Sequence, residues 1–78
     1  MKNDRIRTVM ADVFGIDAGS ISEDASQGTI EQWDSLRHMN LILALEEEFE
    51  VRFPEDQIDQ LASFKLIALS LDELAADQ

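Results

Sequence analysis

The stretch Glu31–Glu50, EQWDSLRHMNLILALEEEFE, decides how the chain folds. At 100° per residue, Leu41, Ile42, Leu45 and Phe49 fall within one arc of about 100°, the width of a core-facing stripe. Leu36, Met39 and Leu43 fall on roughly the opposite side, within about 60° of one another. One helix therefore has two apolar stripes, and a small bundle has too few neighbours to bury both. Asp34 is a good N-cap, so the helix is expected to open at Asp34 or Ser35 and to run to about Glu50. The second stripe has two readings. It is an exposed docking patch with an acidic rim, or the preceding loop folds back over it with Ile30 and Trp33 as a lid.

On the N-terminal side, Ile6, Val9, Met10, Val13 and Phe14 recur at i, i+3, i+4, i+7 and i+8, a single stripe that predicts a helix from about Asn3 to Phe14. Asn3 or Asp4 can cap its start and Gly15 can end it. From Gly15 to about Trp33 no helical or strand period holds. A connection this long is unusual in a compact domain and is often functional. It is expected to pack through Ile16, Ile21 and Ile30, with room for a short helical turn. On the C-terminal side, a short acidic helix is expected after Pro54, through Asp56 to Leu61. Ser63 then caps a final helix with Phe64, Ile67, Ala68, Leu71 and Ala75 facing inward, and Asp77 and Gln78 are expected to fray. The fold class predicted is all-α: a small antiparallel four-helix bundle of three longer helices and one short one.

The chain has 78 residues, enough for one domain spanning 1–78. Folding at this size buries only about 60% of the unfolded surface. There are no cysteines, so disulfides, zinc–thiolate sites and cysteine nucleophiles are excluded. MKNDRIRTVMADVFG lacks the continuous apolar core of a secretory signal. No apolar run approaches the roughly 20 residues of a membrane helix. A cytoplasmic protein is expected, and a monomer. Six Lys and Arg against 17 Asp and Glu give a formal charge of −11. That balance argues against binding nucleic acid, where cations neutralise phosphates, and against anionic membranes. It favours partners with a basic patch.

Two features invite a catalytic or metal reading. His38, three residues after Ser35, is placed to be its neighbour on a helix surface. The wheel turns His38 toward the core arc, however, and nothing supplies an orienting third group or an oxyanion site. It reads as a packing residue hydrogen-bonded to the loop. Glu46, Glu47, Glu48, Glu50, Glu55, Asp56 and Asp59 form a dense acidic stretch, either a solvated face or a docking surface for Arg and Lys. Neither this stretch nor DAGSISEDAS has the EF-hand pattern with its central glycine. No metal site and no enzymatic activity are expected.

The residues Asp34-Ser35-Leu36 opening a helix that ends in LALEEEF, the acidic PEDQI segment and the SFKLIALSLDEL last helix resemble the acyl carrier protein family over nearly the whole chain. The resemblance implies that Ser35 carries a 4'-phosphopantetheine arm through a phosphodiester, delivered from coenzyme A by a phosphopantetheinyl transferase. It implies that Asp34 helps that transferase bind metal and coenzyme A. Acyl or aminoacyl groups would ride as thioesters on the arm's thiol, which fits a cysteine-free chain. Enzymes with basic patches would load and unload them in fatty acid, polyketide or related biosynthesis. Leu36, Arg37, Met39, Leu43, Glu46 and Glu47 are the expected partner-docking residues. A helix start also suits a phosphate on physical grounds, through its free N–H groups and positive dipole end.

Three departures from the family pattern stand out. Gln32 replaces a frequent glycine, Trp33 stands where a small residue is common, and Arg37 and His38 follow the DSL motif where an acid and a small polar residue are typical. They point to a specialised carrier rather than the housekeeping one. The competing reading is a small acidic interaction module that never receives an arm.

Overall fold

The computed structural model describes residues 2–76 and contains four helices in chain order: α1 Lys2–Phe14, α2 Ser35–Phe49, α3 Glu55–Ile58 and α4 Phe64–Ala76. Each long helix exists because its apolar positions fall on one face and meet the others. Ile6, Met10 and Phe14 from α1, Leu41, Ile42 and Leu45 from α2, and Phe64, Ile67 and Leu71 from α4 form the buried core. Phe53 and Leu61 close it from the segment around α3. Fully burying each such side chain contributes on the order of 1.5–3 kcal/mol, and these contributions must offset the ordering of the whole chain.

The ends of the helices follow local chemistry. α1 starts one residue earlier than its expected caps. Asn3 donates to Glu23 at 3.1 Å and Asp4 accepts from Arg7 at 3.2 Å, so both act within the first turn instead. Gly15 ends α1 at φ 70°, with its N–H on the Ala11 carbonyl at 2.8 Å. α2 is capped by Asp34, as its sequence predicts. It ends at Glu50, which adopts the left-handed conformation at φ 54° without being glycine. α3 stops at Ile58, short of the expected Leu61, because the chain tightens. Gln60 and Leu61 donate three residues back, to Gln57 and Ile58. The Ser63 hydroxyl accepts from the Leu66 N–H at 3.2 Å, which makes Ser63 the cap of α4. The inward placement expected for the Ala75 side chain, and the fraying expected of Asp77 and Gln78, lie outside the described residues.

The long connection between α1 and α2 is pinned rather than loose. It holds one 3-10 turn at Ala18–Ser20, capped by Asp17. Ile21, Ala25 and Trp33 enter the core, while Ile16 and Ile30 pack against it. Ser26 and Ser63 form an isolated antiparallel bridge, flanked by Gln27 N–H on Ala62 O and Phe64 N–H on Ala25 O, both at 2.9 Å. The middle of the connection is thus tied to the start of α4, and its last residue before the N-cap, Trp33, is anchored in the core. The N-cap Asp34 and then Ser35 follow.

Candidate functional site at the head of helix α2

Ser35 is the first residue of α2 and is exposed. Asp34 precedes it in extended backbone conformation, and its carboxylate Oδ1 accepts the Arg37 N–H at 2.8 Å. That bond fills one of the amide donors a helix start leaves open. The second oxygen, Oδ2, accepts from the Arg37 guanidinium at 3.1 Å. The same guanidinium nitrogen reaches back to the Gln32 carbonyl at 3.4 Å. Both oxygens of Asp34 are therefore held by one residue, Arg37, which folds back over the helix start beside Ser35. The i, i+3 spacing is the sequence signal for this pairing, which was not among the expectations drawn from the sequence. The Gln32 contact has no such signal, since it depends on the path of the turn.

His38 does not serve Ser35. Its ring is buried, with Trp33 Nε1–H donating to Nδ1 at 2.9 Å and Nε2 against the Ile58 carbonyl at 2.8 Å. With Nδ1 accepting, the proton sits on Nε2 and is donated to Ile58. Neither nitrogen is left to take a proton from the serine, so His38 is not its base. The loop contact expected of His38 is present, together with a second one to the end of α3.

The second apolar stripe is open. Leu36, Met39 and Leu43 are 73%, 45% and 59% exposed. The lid reading fails because Trp33 points the other way. It is 2% exposed and packs on Phe14 with ring centroids 5.3 Å apart. Glu47 continues the stripe and is exposed. Glu46 is half-buried, and its Oε2 accepts the Phe53 N–H at 2.8 Å. Its carboxylate thus closes the turn after α2, a use that wheel geometry alone does not reveal. Glu47 also lines a cleft of about 390 Å³ between α1 and α2, with Val9, Asp12, Val13, Ala44 and Glu48. Ala44 lies nine residues beyond Ser35, roughly 14 Å along the axis, so this cleft is no part of the serine's surroundings.

The electrostatic balance is lopsided. Lys2, Arg5, Arg7, Arg37 and Lys65 each pair with a carboxylate: Asp72, Glu48, Asp4, Asp34 and Asp24. Five of the six cations are thereby engaged within the chain, and the acids outnumber them. Among the described residues no three His, Asp or Glu side chains converge as a metal site.

The head of α2 thus joins an exposed serine, a capping aspartate and an open apolar stripe. The family model described as the phosphopantetheine attachment site matches residues 4–71. The chain belongs to this phosphopantetheine-binding carrier family. It is 35% identical over 60 residues to an acyl carrier protein of Clostridium acetobutylicum, covering 77% of this chain and 78% of that one. It is 38% identical over 58 residues to the acyl carrier protein AcpP of Rhizobium meliloti, covering 74% of each. The solution structure of a holo acyl carrier protein from Geobacter metallireducens superposes with a TM-score of 0.84 at 29% identity, covering 96% of this chain and 86% of that one. The chain is therefore a carrier that presents acyl intermediates on a covalent 4'-phosphopantetheine arm. The armless interaction module gives way to this reading. Acyl carrier proteins are carriers rather than catalysts, and they work with transferases and biosynthetic enzymes. No helix of the described residues is long and apolar enough to cross a membrane.

Proposed function

We propose that Ser35 is the attachment point of the arm. The observation that carries this is its position: an exposed hydroxyl on the first residue of α2, directly after the capping Asp34. In the attachment step the serine oxygen bonds to the phosphorus of coenzyme A that bears the pantetheine. The pyrophosphate bond breaks, adenosine 3',5'-bisphosphate leaves, and the hydroxyl proton passes to a base of the transferase. The phosphodiester then sits at the positive end of α2. Asp34 assists the transferase in holding metal and coenzyme A.

Partner enzymes dock over Leu36, Met39 and Leu43, with Arg37, Glu46 and Glu47 setting the charge they must match. The acidic surface draws partners with basic patches. Linked through the arm, the acyl group meets each of them at a high effective concentration. The protein acts as one cytoplasmic, monomeric carrier domain over residues 1–78, without an activity of its own. Arg37 and His38 after DSL favour a specialised pathway, whether polyketide, modified lipid or aminoacyl.

The test is an intact mass spectrum after incubation with coenzyme A, magnesium and a broad-specificity transferase, beside Ser35→Ala. One arm on the wild type and none on the variant is the expected result. An arm on both, or on neither, would remove Ser35 from its role.

A further inference from the structure

We propose that Arg37 is a two-position counter-ion. Without the arm it neutralises Asp34. With the arm in place it turns to the phosphodiester on Ser35. This rests on Ser35 being the attachment point.

The argument starts from reach. The guanidinium of Arg37 already folds back past Ser35, to Asp34 Oδ2 at 3.1 Å and to the Gln32 carbonyl at 3.4 Å. Ser35 lies between Arg37 and both partners in sequence, so a phosphate on its oxygen enters the volume this side chain spans. The Arg37 side chain is 45% exposed, so it is free to change rotamer.

Charge supplies the reason to move. A phosphodiester on Ser35 adds a full negative charge next to the Asp34 carboxylate, and two neighbouring anions repel. Among the described residues, the other cations are engaged elsewhere or lie at the far end of α2. Lys2, Arg5 and Arg7 on α1 pair with Asp72, Glu48 and Asp4, Lys65 on α4 pairs with Asp24, and Arg52 follows the far end of α2. A guanidinium binds phosphate oxygens with well-matched geometry, which a carboxylate already holding a backbone N–H does not outcompete. Asp34 keeps that N–H through Oδ1 at 2.8 Å, so the helix cap survives the exchange.

The experiment compares wild type, Arg37→Gln and Arg37→Lys, each with and without the arm, by thermal unfolding at low salt. Intact mass first verifies the arm; an unmodified wild type strikes at the attachment reading itself rather than at Arg37. In the wild type, adding the arm is expected to leave the midpoint unchanged or raise it. In Arg37→Gln, adding the arm should lower it by about 2–6 °C, and Arg37→Lys should restore most of the difference. The difference should fade near 0.5 M salt, where screening extends over only a few ångströms. The ³¹P resonance of the phosphodiester should move between wild type and Arg37→Gln. A substitution that lowers the midpoint equally with and without the arm, leaving the ³¹P resonance in place, would reduce Arg37 to a buttress of the cap and overturn the proposal.

Discussion

The Trp33 indole N–H donates to His38 Nδ1 at 2.9 Å inside the core, and the opposite ring nitrogen of His38 meets the Ile58 carbonyl at 2.8 Å. One buried imidazole thus joins three segments: the end of the long connection, the first turn of α2, and the end of α3. A buried polar group left without its partner costs about 1–3 kcal/mol. Trp33→Phe keeps most of the apolar volume but orphans Nδ1. Urea unfolding should register a loss of about 1–3 kcal/mol. A loss under about 0.5 kcal/mol, the range of a neutral surface change, would mean that the bond contributes nothing net.

Asp34 has two structural duties that a single substitution separates. Asp34→Asn keeps a side-chain oxygen for the Arg37 N–H but loses the charge partner of the guanidinium. Asp34→Ala loses both. The alanine variant should lose about 1 kcal/mol of stability and the asparagine variant only a few tenths. Both should be slow substrates for the transferase if the carboxylate helps hold its metal, which steady-state kinetics would measure. Normal rates for Asp34→Asn would confine Asp34 to capping.

Glu50 ends α2 in a conformation that glycine adopts freely and other residues adopt at a cost. It also extends a run of acids. Glu50→Gly should therefore stabilise the protein by about 0.5–1 kcal/mol. A lower denaturation midpoint would indicate that the Glu50 side chain makes a contribution its geometry does not reveal.

The open stripe yields a separation of stability from function. Leu43→Glu should change unfolding free energy by less than about 0.5 kcal/mol, because the side chain is already exposed. It should lower kcat/KM of a cognate acyl-transferring enzyme at least about tenfold if Leu43 lies at a docking centre. Unimpaired turnover, with the arm verified by mass, would move docking elsewhere.

The formal charge of −11 predicts a salt response. With five of the six cations already paired internally, the remaining acids repel one another. Moderate salt or magnesium should raise the thermal midpoint. A midpoint flat from low to moderate ionic strength would show that the acids are spaced widely enough not to matter.

Periodicity carried most of this fold because helices report their inner faces every three or four residues. α1, α2 and α4 were legible to within a residue or two, including the caps at Asp34, Ser63 and Gly15. The two stripes of α2 also separated correctly into Leu41, Ile42 and Leu45 inside and Leu36, Met39 and Leu43 outside. What stayed hidden depends on pairs distant in sequence. The Ser26–Ser63 bridge, the inward turn of Trp33 and the Ile58 carbonyl on His38 have no periodic signature. Glu46 looked like part of the acidic surface because its use by the Phe53 N–H depends on how the chain turns after Glu50.

The anchoring of Trp33, directly before Asp34 and Ser35, has a kinematic consequence. An attachment point on a floppy loop would let the root of the arm wander, and cargo placement would blur with it. At the proposed root, Ser35, both flanks are held: Trp33, two residues before it, is locked in the core, and the turn after it is held by His38. An arm on Ser35, the proposed attachment point, would work as a pendulum on a fixed pivot. Its cargo would sweep a surface set by the arm's own torsions, and a partner that gripped the stripe beside the pivot would fix where that surface falls within its own active site.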